Sequence, residues 1–191
     1  MNSEILKISS DIGQILKDNQ QTISVAESSS AGLISSSLLA IPGSSAYFLG
    51  GAVVYTKSSQ NSLLGITDDD RIGIRSSTEE CALLYARKIK EKLNSHWALS
   101  ETGAAGPTGN SYGDSAGHSC FGIVGPITES MTLESGISNR EQNMFIFTEK
   151  ALNYFLTHLK SYNFHSCSHI IYNTLFFLKI FFIEEFNDLL Y

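Results

Sequence analysis

Two adjacent serines, a tyrosine and a lysine lie within the segment GSSAYFLGGAVVYTKSSQNSLLG, residues 43–65. Ser44 and Ser45 come first, and Tyr55 and Lys57 follow. A serine hydroxyl becomes an effective nucleophile when a neighbouring base accepts its proton, and a partly desolvated lysine amine is one such base. The segment therefore fits the nucleophile loop of a hydrolase, or equally a strand, turn and helix whose hydroxyls do no chemistry.

Three stretches rich in small and hydroxyl residues are expected at strand ends: Glu27–Ser30, Gly43–Ser45 and Gly103–Gly113. Ligands of open α/β sheets bind outside the carboxyl ends of the strands, and backbone N–H groups of glycine-rich turns favour anions such as phosphate. Hydroxyls at a helix start also serve as caps, and loop glycines also serve as turns. If the three stretches converge on one pocket, the candidate substrate-binding residues are Glu27, Ser28, Ser29, Ser30, Ser44, Gly103, Ala104, Gly106 and Gly109.

His118 and Asp114 are further candidates in the glycine-rich loop. Together with Ser45 they are the residue types of a serine hydrolase triad, but no nucleophile-elbow motif surrounds Ser45. A single histidine of this kind is more often a hydrogen-bonded structural residue. No second histidine or cysteine pair stands at metal-ligand spacing, so no metal site is predicted.

The order of elements predicts an α/β domain with a largely parallel sheet. Amphipathic spacing indicates helices over 3–18 and 76–93, the second capped by Ser76 or Ser77. Strands are predicted at TISVAE (22–27), at GGAVVYT (50–56), which we expect to be buried in the middle of the sheet, and at HWALSETG (96–103). Two further strands near CFGIVG and ITESMTLESG are joined by a short turn, so part of the sheet should be antiparallel. Other helices are expected within SSSAGLISSSLLA, over KSSQNSLLG with Gly65 at its end, and after Asn139.

Composition limits the classes of function. The chain has 191 residues and a formal net charge of −6, which argues against sequence-independent nucleic-acid binding. The three cysteines are far apart, which suits a reduced, cytoplasmic protein, and no secretory signal is visible. A small-molecule ligand is the expected partner.

The last part of the sequence, residues 161–191, has a different composition. It is dense in Phe, Ile, Leu, Tyr and Asn, and its apolar stretch over 170–183 is too short to span a bilayer comfortably. Three interpretations remain open: a helix packed on the domain or on a partner, a membrane-surface segment, or a non-native extension.

Two long motifs carry a resemblance to a known family. The stretches SVAESSSAGLISSSLLAIPGSSAYFLGGAVVYT and SETGAAGPTGNSYGDSAGHSCFGIVGP resemble the C-terminal domain of the competence-damage-inducible CinA proteins. The likeness runs from about residue 4 to 160, which predicts a domain over 1–160 and an atypical hydrophobic tail over 161–191. It implies a three-layer α/β/α sandwich that hydrolyses nicotinamide mononucleotide to nicotinate mononucleotide and ammonia, with no cofactor.

The resemblance also implies catalytic roles. Members of the family use a serine paired with a lysine and assisted by a tyrosine; the matching residues are Ser45 and Tyr55, whereas the lysine position holds Gln60. A glutamine amide cannot accept a proton at neutral pH, so Lys57, about one helical turn away, is the candidate substitute. The alternatives are an amidase, a non-catalytic nucleotide-binding or regulatory module, and a product whose tail impairs folding. A homo-oligomer is possible in each case.

Overall fold

The computed structural model describes residues 2–188 and the side chains of residues 2–164, and it confirms the α/β class. The described residues form five strands and five helices, with short 3₁₀ turns at Ser44–Ala46 and Asp69–Arg71. The elements in chain order are α1 (Ser3–Asp18), β1 (Ile23–Glu27), α2 (Leu33–Leu39), β2 (Phe48–Val53), α3 (Lys57–Leu64), α4 (Glu79–Leu93), β3 (Trp97–Ala104), β4 (His118–Val124), β5 (Thr128–Glu134) and α5 (Arg140–Asp188).

The strands form one mixed sheet in the order β2-β1-β3-β4-β5. β1 is parallel to both β2 and β3, whereas β4 runs antiparallel to β3 and to β5. In the parallel part Ile23 is level with Phe48 and Trp97, and Glu27 is level with Val53 and Glu101. The carboxyl ends of β1, β2 and β3 therefore lie along one edge of the sheet.

Alternate strand residues face two helical layers. Ala26 and Ala98 join a buried cluster with Tyr85 and Ile89 of α4. Val25, Trp97 and Leu99, which alternate with these alanines along β1 and β3, are buried too. On that face Trp97 packs edge-on against Phe155 of α5, with ring centroids 5.6 Å apart. Because both faces of β1 and β3 are covered, these strands consist almost entirely of buried residues.

β2 does not lie where its sequence indicates. Its apolar residues predict a strand in the middle of the sheet, but β2 is the edge strand of the described sheet. Leu49 and Val53 are 43% and 42% exposed. A run of apolar residues predicts a buried strand only where both faces of the sheet are covered. In β2 the side that carries Leu49 and Val53 contacts solvent.

The observed helix ends confirm some of the predicted caps and contradict others. α3 ends at Gly65 with a left-handed φ of 71°, and the Asn139 side chain accepts from the Gln142 N–H at the start of α5, both as expected. The cap of α4 is Thr78, which accepts from Cys81 N–H, so the assignment to Ser76 or Ser77 is wrong. α2 begins after Gly32, which gives no side-chain cap; the Glu27 carboxylate accepts from the N–H groups of Ile34 and Ser35 instead.

The chain divides into two compact units, Met1–Leu156 and Thr157–Tyr191. The first contains the whole sheet, and the second is helical through Asp188. The side chains of the apolar stretch 170–183 lie outside the described residues, so its three interpretations stay predictions. Among the residues that the structure describes, we find no helix that is long and apolar enough to cross a membrane.

Candidate functional site

A polar cavity of about 250 Å³ opens at the carboxyl ends of the strands. It collects residues from four parts of the chain: the turn after β1, the residues after β2, the glycine-rich loop after β3 and the start of α5. The lining residues are Ser29, Tyr55, Gly103, Ala104, Ala105, Gly106, Thr108, Gly109, Asn110 and Arg140. Five of the candidate binding residues and the candidate tyrosine therefore come together.

Two fully buried carboxylates, Glu27 and Glu101, hold the turn that brings Ser29 to this cavity. They are level with each other on neighbouring parallel strands. Glu27 accepts from Ile34 N–H and from the backbone and hydroxyl of Ser35, which holds the start of α2. Glu27 thus orients the turn and helix that follow it.

Glu101 has an equally complete set of partners. Its Oε2 accepts from the N–H groups of Ser28 (3.0 Å) and Ser30 (2.9 Å), and its Oε1 accepts from the hydroxyls of Ser29 (2.5 Å) and Ser119 (3.1 Å). Burial raises the pKa of the Glu101 carboxyl above its usual range, although these hydrogen bonds oppose the shift. The turn 28–30 is therefore tied to β3 by one side chain.

The Ser30 hydroxyl lies between the two carboxylates, 2.9 Å from Glu27 Oε2 and 2.9 Å from Glu101 Oε2. A hydroxyl has one proton and can donate it to only one of them. The Ser30 hydroxyl therefore links the two carboxylates within the buried cluster.

Arg140 closes the other side of the cavity. Its Nη1 donates to the Gly106 carbonyl at 2.9 Å, and its Nη2 donates to the Tyr55 hydroxyl at 3.4 Å. The guanidinium carbon lies 5.9 Å from the centre of the Tyr55 ring. Asn143, one turn further along α5, supports the same loop by donating to the Ala105 carbonyl. Arg140 thereby supplies a positive charge at a fixed place.

The expected convergence of Gly43–Ser45 on this cavity is wrong. These residues follow α2 and precede β2, so they lie at the amino ends of the parallel strands. At about 3.3 Å per residue the length of β2 separates the two edges of the sheet by roughly 17 Å. The Ser44 hydroxyl donates to the Leu39 carbonyl, and Ser45 is exposed. The predicted order of elements, a helix within SSSAGLISSSLLA and then a strand over 50–56, itself indicates that these serines precede a strand.

Lys57 does not reach the cavity either. It is exposed and lines a separate groove with Asp68 and Arg71. Gln60 is buried: its Nε2 donates to the Val54 carbonyl at 3.1 Å, and its Oε1 accepts from Arg71 at 2.5 Å. The Gln60 amide therefore connects α3 to Val54 and Arg71. Neither this amide nor the Lys57 amine is placed to accept a proton from Ser29.

His118 and Asp114 form a structural cluster, as the commoner interpretation of a single histidine predicts. His118 Nδ1 is 2.5 Å from Glu134 Oε1, and its Nε2 is 2.9 Å from the Ser77 carbonyl. Burial alone would lower the pKa of His118, but these two acceptors and Asp114 outweigh it and raise the pKa. Asp114 in turn pairs with Arg75, and that bond holds the pKa of Asp114 below its usual range.

Sequence reasoning did not single out Glu101, and it placed Arg140 only within the last helix. Glu101 was detectable, because an acidic residue in a strand that begins with the apolar residues Trp97, Ala98 and Leu99 requires partners when it is buried. The residues GDSAG, 113–117, also match the Gly-x-Ser-x-Gly spacing of a nucleophile elbow. They enter β4 directly and no helix follows, so this loop is not such an elbow. Among the described residues no group of three metal-ligating side chains is arranged to hold an ion.

The strand order and the cavity at the carboxyl ends define an α/β domain with a small-molecule type of pocket. The CinA C-terminal domain family matches residues 5–159, and the chain belongs to this family. A CinA-like protein of Gloeothece citriformis is 37% identical over 142 residues, which cover 74% of this chain and 34% of that protein. One from Chlorobium limicola is 35% identical over 154 residues, covering 78% of this chain and 36% of that protein. The chain thus spans about a third of the length of these curated relatives.

Solved structures share the fold. A CinA superfamily protein from Klebsiella pneumoniae superposes with a TM-score of 0.77 at 18% identity, covering 84% of this chain and 99% of that chain. A competence/damage-inducible protein from Agrobacterium tumefaciens superposes with a TM-score of 0.76 at 24% identity, covering 84% and 98%. At such identities the likeness concerns the fold alone.

Proposed function

We propose that this domain binds a pyridine mononucleotide and hydrolyses its carboxamide, so that nicotinamide mononucleotide gives nicotinate mononucleotide and ammonia. The observation that carries the proposal is the cavity at the strand ends. It brings a serine hydroxyl, a tyrosine, an arginine and a glycine-rich loop together in one place. Membership of the CinA family supports the same substrate class.

The charges in the cavity suit a phosphate at one end. Arg140 is the basic residue among the described lining residues, and its guanidinium is held by Gly106 and Tyr55. A guanidinium forms strong charge-assisted hydrogen bonds with phosphate oxygens. We assign the phosphate to Arg140 and the adjoining loop, which leaves the carboxamide facing the turn at Ser29.

The size of the cavity favours a mononucleotide over a dinucleotide. Its volume of about 250 Å³ is near the lower limit for small-molecule pockets. Its walls come from loops after three strands and from one helix end, so the ligand would contact mainly backbone groups and short side chains.

The test is ammonia release from nicotinamide mononucleotide by the purified full-length chain, together with calorimetric binding. Nicotinamide riboside is the matched control, because it keeps the carboxamide and lacks the phosphate. We expect release from the mononucleotide and much weaker binding of the riboside. Equal binding of both compounds would contradict the phosphate assignment, and absence of binding would contradict the site.

A second function, a nucleotide-binding module without turnover, is favoured by one observation. Both ends of the Gln60 amide are hydrogen-bonded, so the position that matches the family lysine offers no base. Binding of the mononucleotide without ammonia release would identify this function.

A further inference from the structure

The serine that lines the cavity is already in contact with a carboxylate. Ser29 Oγ donates to Glu101 Oε1 at 2.5 Å, and both residues are buried. A general base must lie within hydrogen-bond reach of the proton that it removes, about 2.6–3.2 Å or less. Glu101 meets this geometric condition, whereas Lys57 lines another groove and the Gln60 amide is engaged elsewhere.

We propose that Ser29 is the nucleophile and Glu101 its general base, so that this chain uses a serine–glutamate pair where the family resemblance implies serine and lysine. The inference rests on the proposed amidase function for its substrate. The reactivity of the Ser29 hydroxyl beside the Glu101 carboxylate can be measured independently of ammonia release.

The two oxygens of Glu101 have different surroundings. Oε2 accepts two backbone N–H groups, from Ser28 and Ser30, which fix the plane of the carboxylate. Oε1 faces only hydroxyls, those of Ser29 and Ser119. A proton can be added at Oε1 without displacing a backbone donor, so the oxygen that faces Ser29 is the one free to accept its proton.

The buried environment makes this carboxylate more basic than one in water. Burial raises the pKa of Glu101, which brings it closer to the range in which a carboxylate acts as a base near neutral pH. Glu27 lies on the far side of the Ser30 hydroxyl and adds a second carboxylate to the cluster.

The reaction balances with these groups alone. Ser29 Oγ attacks the carboxamide carbon while its proton moves to Glu101 Oε1. The carbon–nitrogen bond then breaks as Glu101 gives that proton to the leaving nitrogen, which departs as ammonia and leaves an acyl ester on Ser29. A water molecule attacks the ester and gives one proton to Glu101, which returns it to Ser29 Oγ as the carboxylic acid leaves. The sum is amide plus water giving acid plus ammonia.

The experiment uses an alkyl fluorophosphonate, which modifies activated serine hydroxyls whatever the natural substrate is. The full chain is treated with the probe, and the modified residue is located by peptide mass spectrometry. We expect modification at Ser29, at a rate that rises with pH through an apparent pKa above the ordinary glutamate value of about 4.3. In Glu101→Gln the rate should fall by about 10²–10⁴-fold, the usual contribution of a general base.

Matched variants separate chemistry from stability. Ser45→Ala removes an exposed hydroxyl at the other edge of the sheet, and Ser29 should be modified in it at nearly the parent rate. Circular dichroism and urea unfolding show whether Glu101→Gln is folded. If Glu101→Gln is not folded, the pH dependence of the modification rate in the parent chain decides. A serine without a carboxylate base shows no apparent pKa of this kind.

The outcomes are distinguishable from those of the proposed function. Modification of Ser29 without ammonia release would overturn the amidase function and leave the pair standing. Ammonia release that is undiminished in a folded Glu101→Gln variant would overturn the pair and leave the function standing. No modification of Ser29 in the parent, or modification at the parent rate in Glu101→Gln, also overturns the pair.

Discussion

The Gln60 side chain accepts a hydrogen bond from Arg71 Nη1 at 2.5 Å, so a guanidinium lies against the position that the family resemblance assigns to a lysine. Gln60 is buried and also donates to the Val54 carbonyl. An ammonium at this position would face the positive charge of Arg71.

Gln60→Lys should destabilise the domain without increasing ammonia release. The substitution breaks a buried hydrogen bond and places two positive charges together, which we expect to lower the free energy of unfolding by about 1–3 kcal/mol. Urea denaturation measures the loss. The double variant Gln60→Lys, Arg71→Gln should recover part of it. A large rise in ammonia release in the double variant would assign the base to position 60 instead of Glu101.

Ser45→Ala and Ser29→Ala form a matched pair, since each removes one hydroxyl. Ser45 is exposed at the amino ends of the parallel strands, whereas Ser29 lines the cavity. Ammonia release should be nearly unchanged in Ser45→Ala and lost in Ser29→Ala. The opposite result would return the catalytic role to the Gly43–Ser45 turn.

Arg140→Gln should weaken binding of nicotinamide mononucleotide about 10–100-fold, because a charge-assisted hydrogen bond contributes about 1.5–3 kcal/mol. Binding of nicotinamide riboside should change little, since it lacks the phosphate. Isothermal calorimetry measures both. Arg87→Gln, on the exposed side of α4, is the control and should bind like the parent. Equal losses for both ligands would place Arg140 away from the phosphate.

His118 should make stability depend on pH. Its pKa is raised in the folded chain, so its contribution is complete below the unfolded value of about 6.5 and is lost as pH rises through the folded value. The free energy of unfolding, measured in urea from pH 6 to 9, should therefore fall with pH. Glu134→Gln removes the negative charge beside the imidazolium and should reduce this slope. A slope that persists unchanged in His118→Gln would refute the assignment.

Gly106→Ala should be more destabilising than Gly113→Ala in the same loop. Both glycines have positive φ, 110° and 97°. A Cβ at Gly106 would lie 2.6 Å from the Ser138 carbonyl oxygen, whereas one at Gly113 meets nothing within 4 Å. We expect losses of about 2–4 and about 1 kcal/mol respectively. Equal losses would show that backbone conformation alone requires Gly106.

The order of elements was predictable because each element has its own local signal. The α1 stripe, the Gly65 end of α3 and the Asn139 cap of α5 are set by residues within a few positions of one another. The position of β2 at the edge of the sheet was not predictable in this way. It depends on which strands pair, and Leu49 and Val53 have the same apolar character whether covered or exposed.

The residues of the candidate site likewise include some that were predictable from the sequence and some that were not. The glycine-rich loop and the turn at Ser29 were identified from composition, and the structure brings them together. Ser44 and Ser45 were assigned to the wrong edge of the sheet although the predicted helix before them and strand after them indicate the correct one. Lys57 also lies outside the cavity, in a separate groove. Glu101 and Arg140 acquire their roles only through contacts with distant residues, Ser29 and Tyr55.

The strand order β2-β1-β3 has a consequence for how chemistry can change within this fold. From β1 the chain passes to β2 on one side, and β3 lies on the other, so the connections at their carboxyl ends diverge. Such a topological switch point leaves a crevice whatever side chains surround it. The crevice is therefore inherited with the connectivity, which the Klebsiella pneumoniae structure shares at 18% identity. The side chains around the crevice can therefore change while the architecture stays intact.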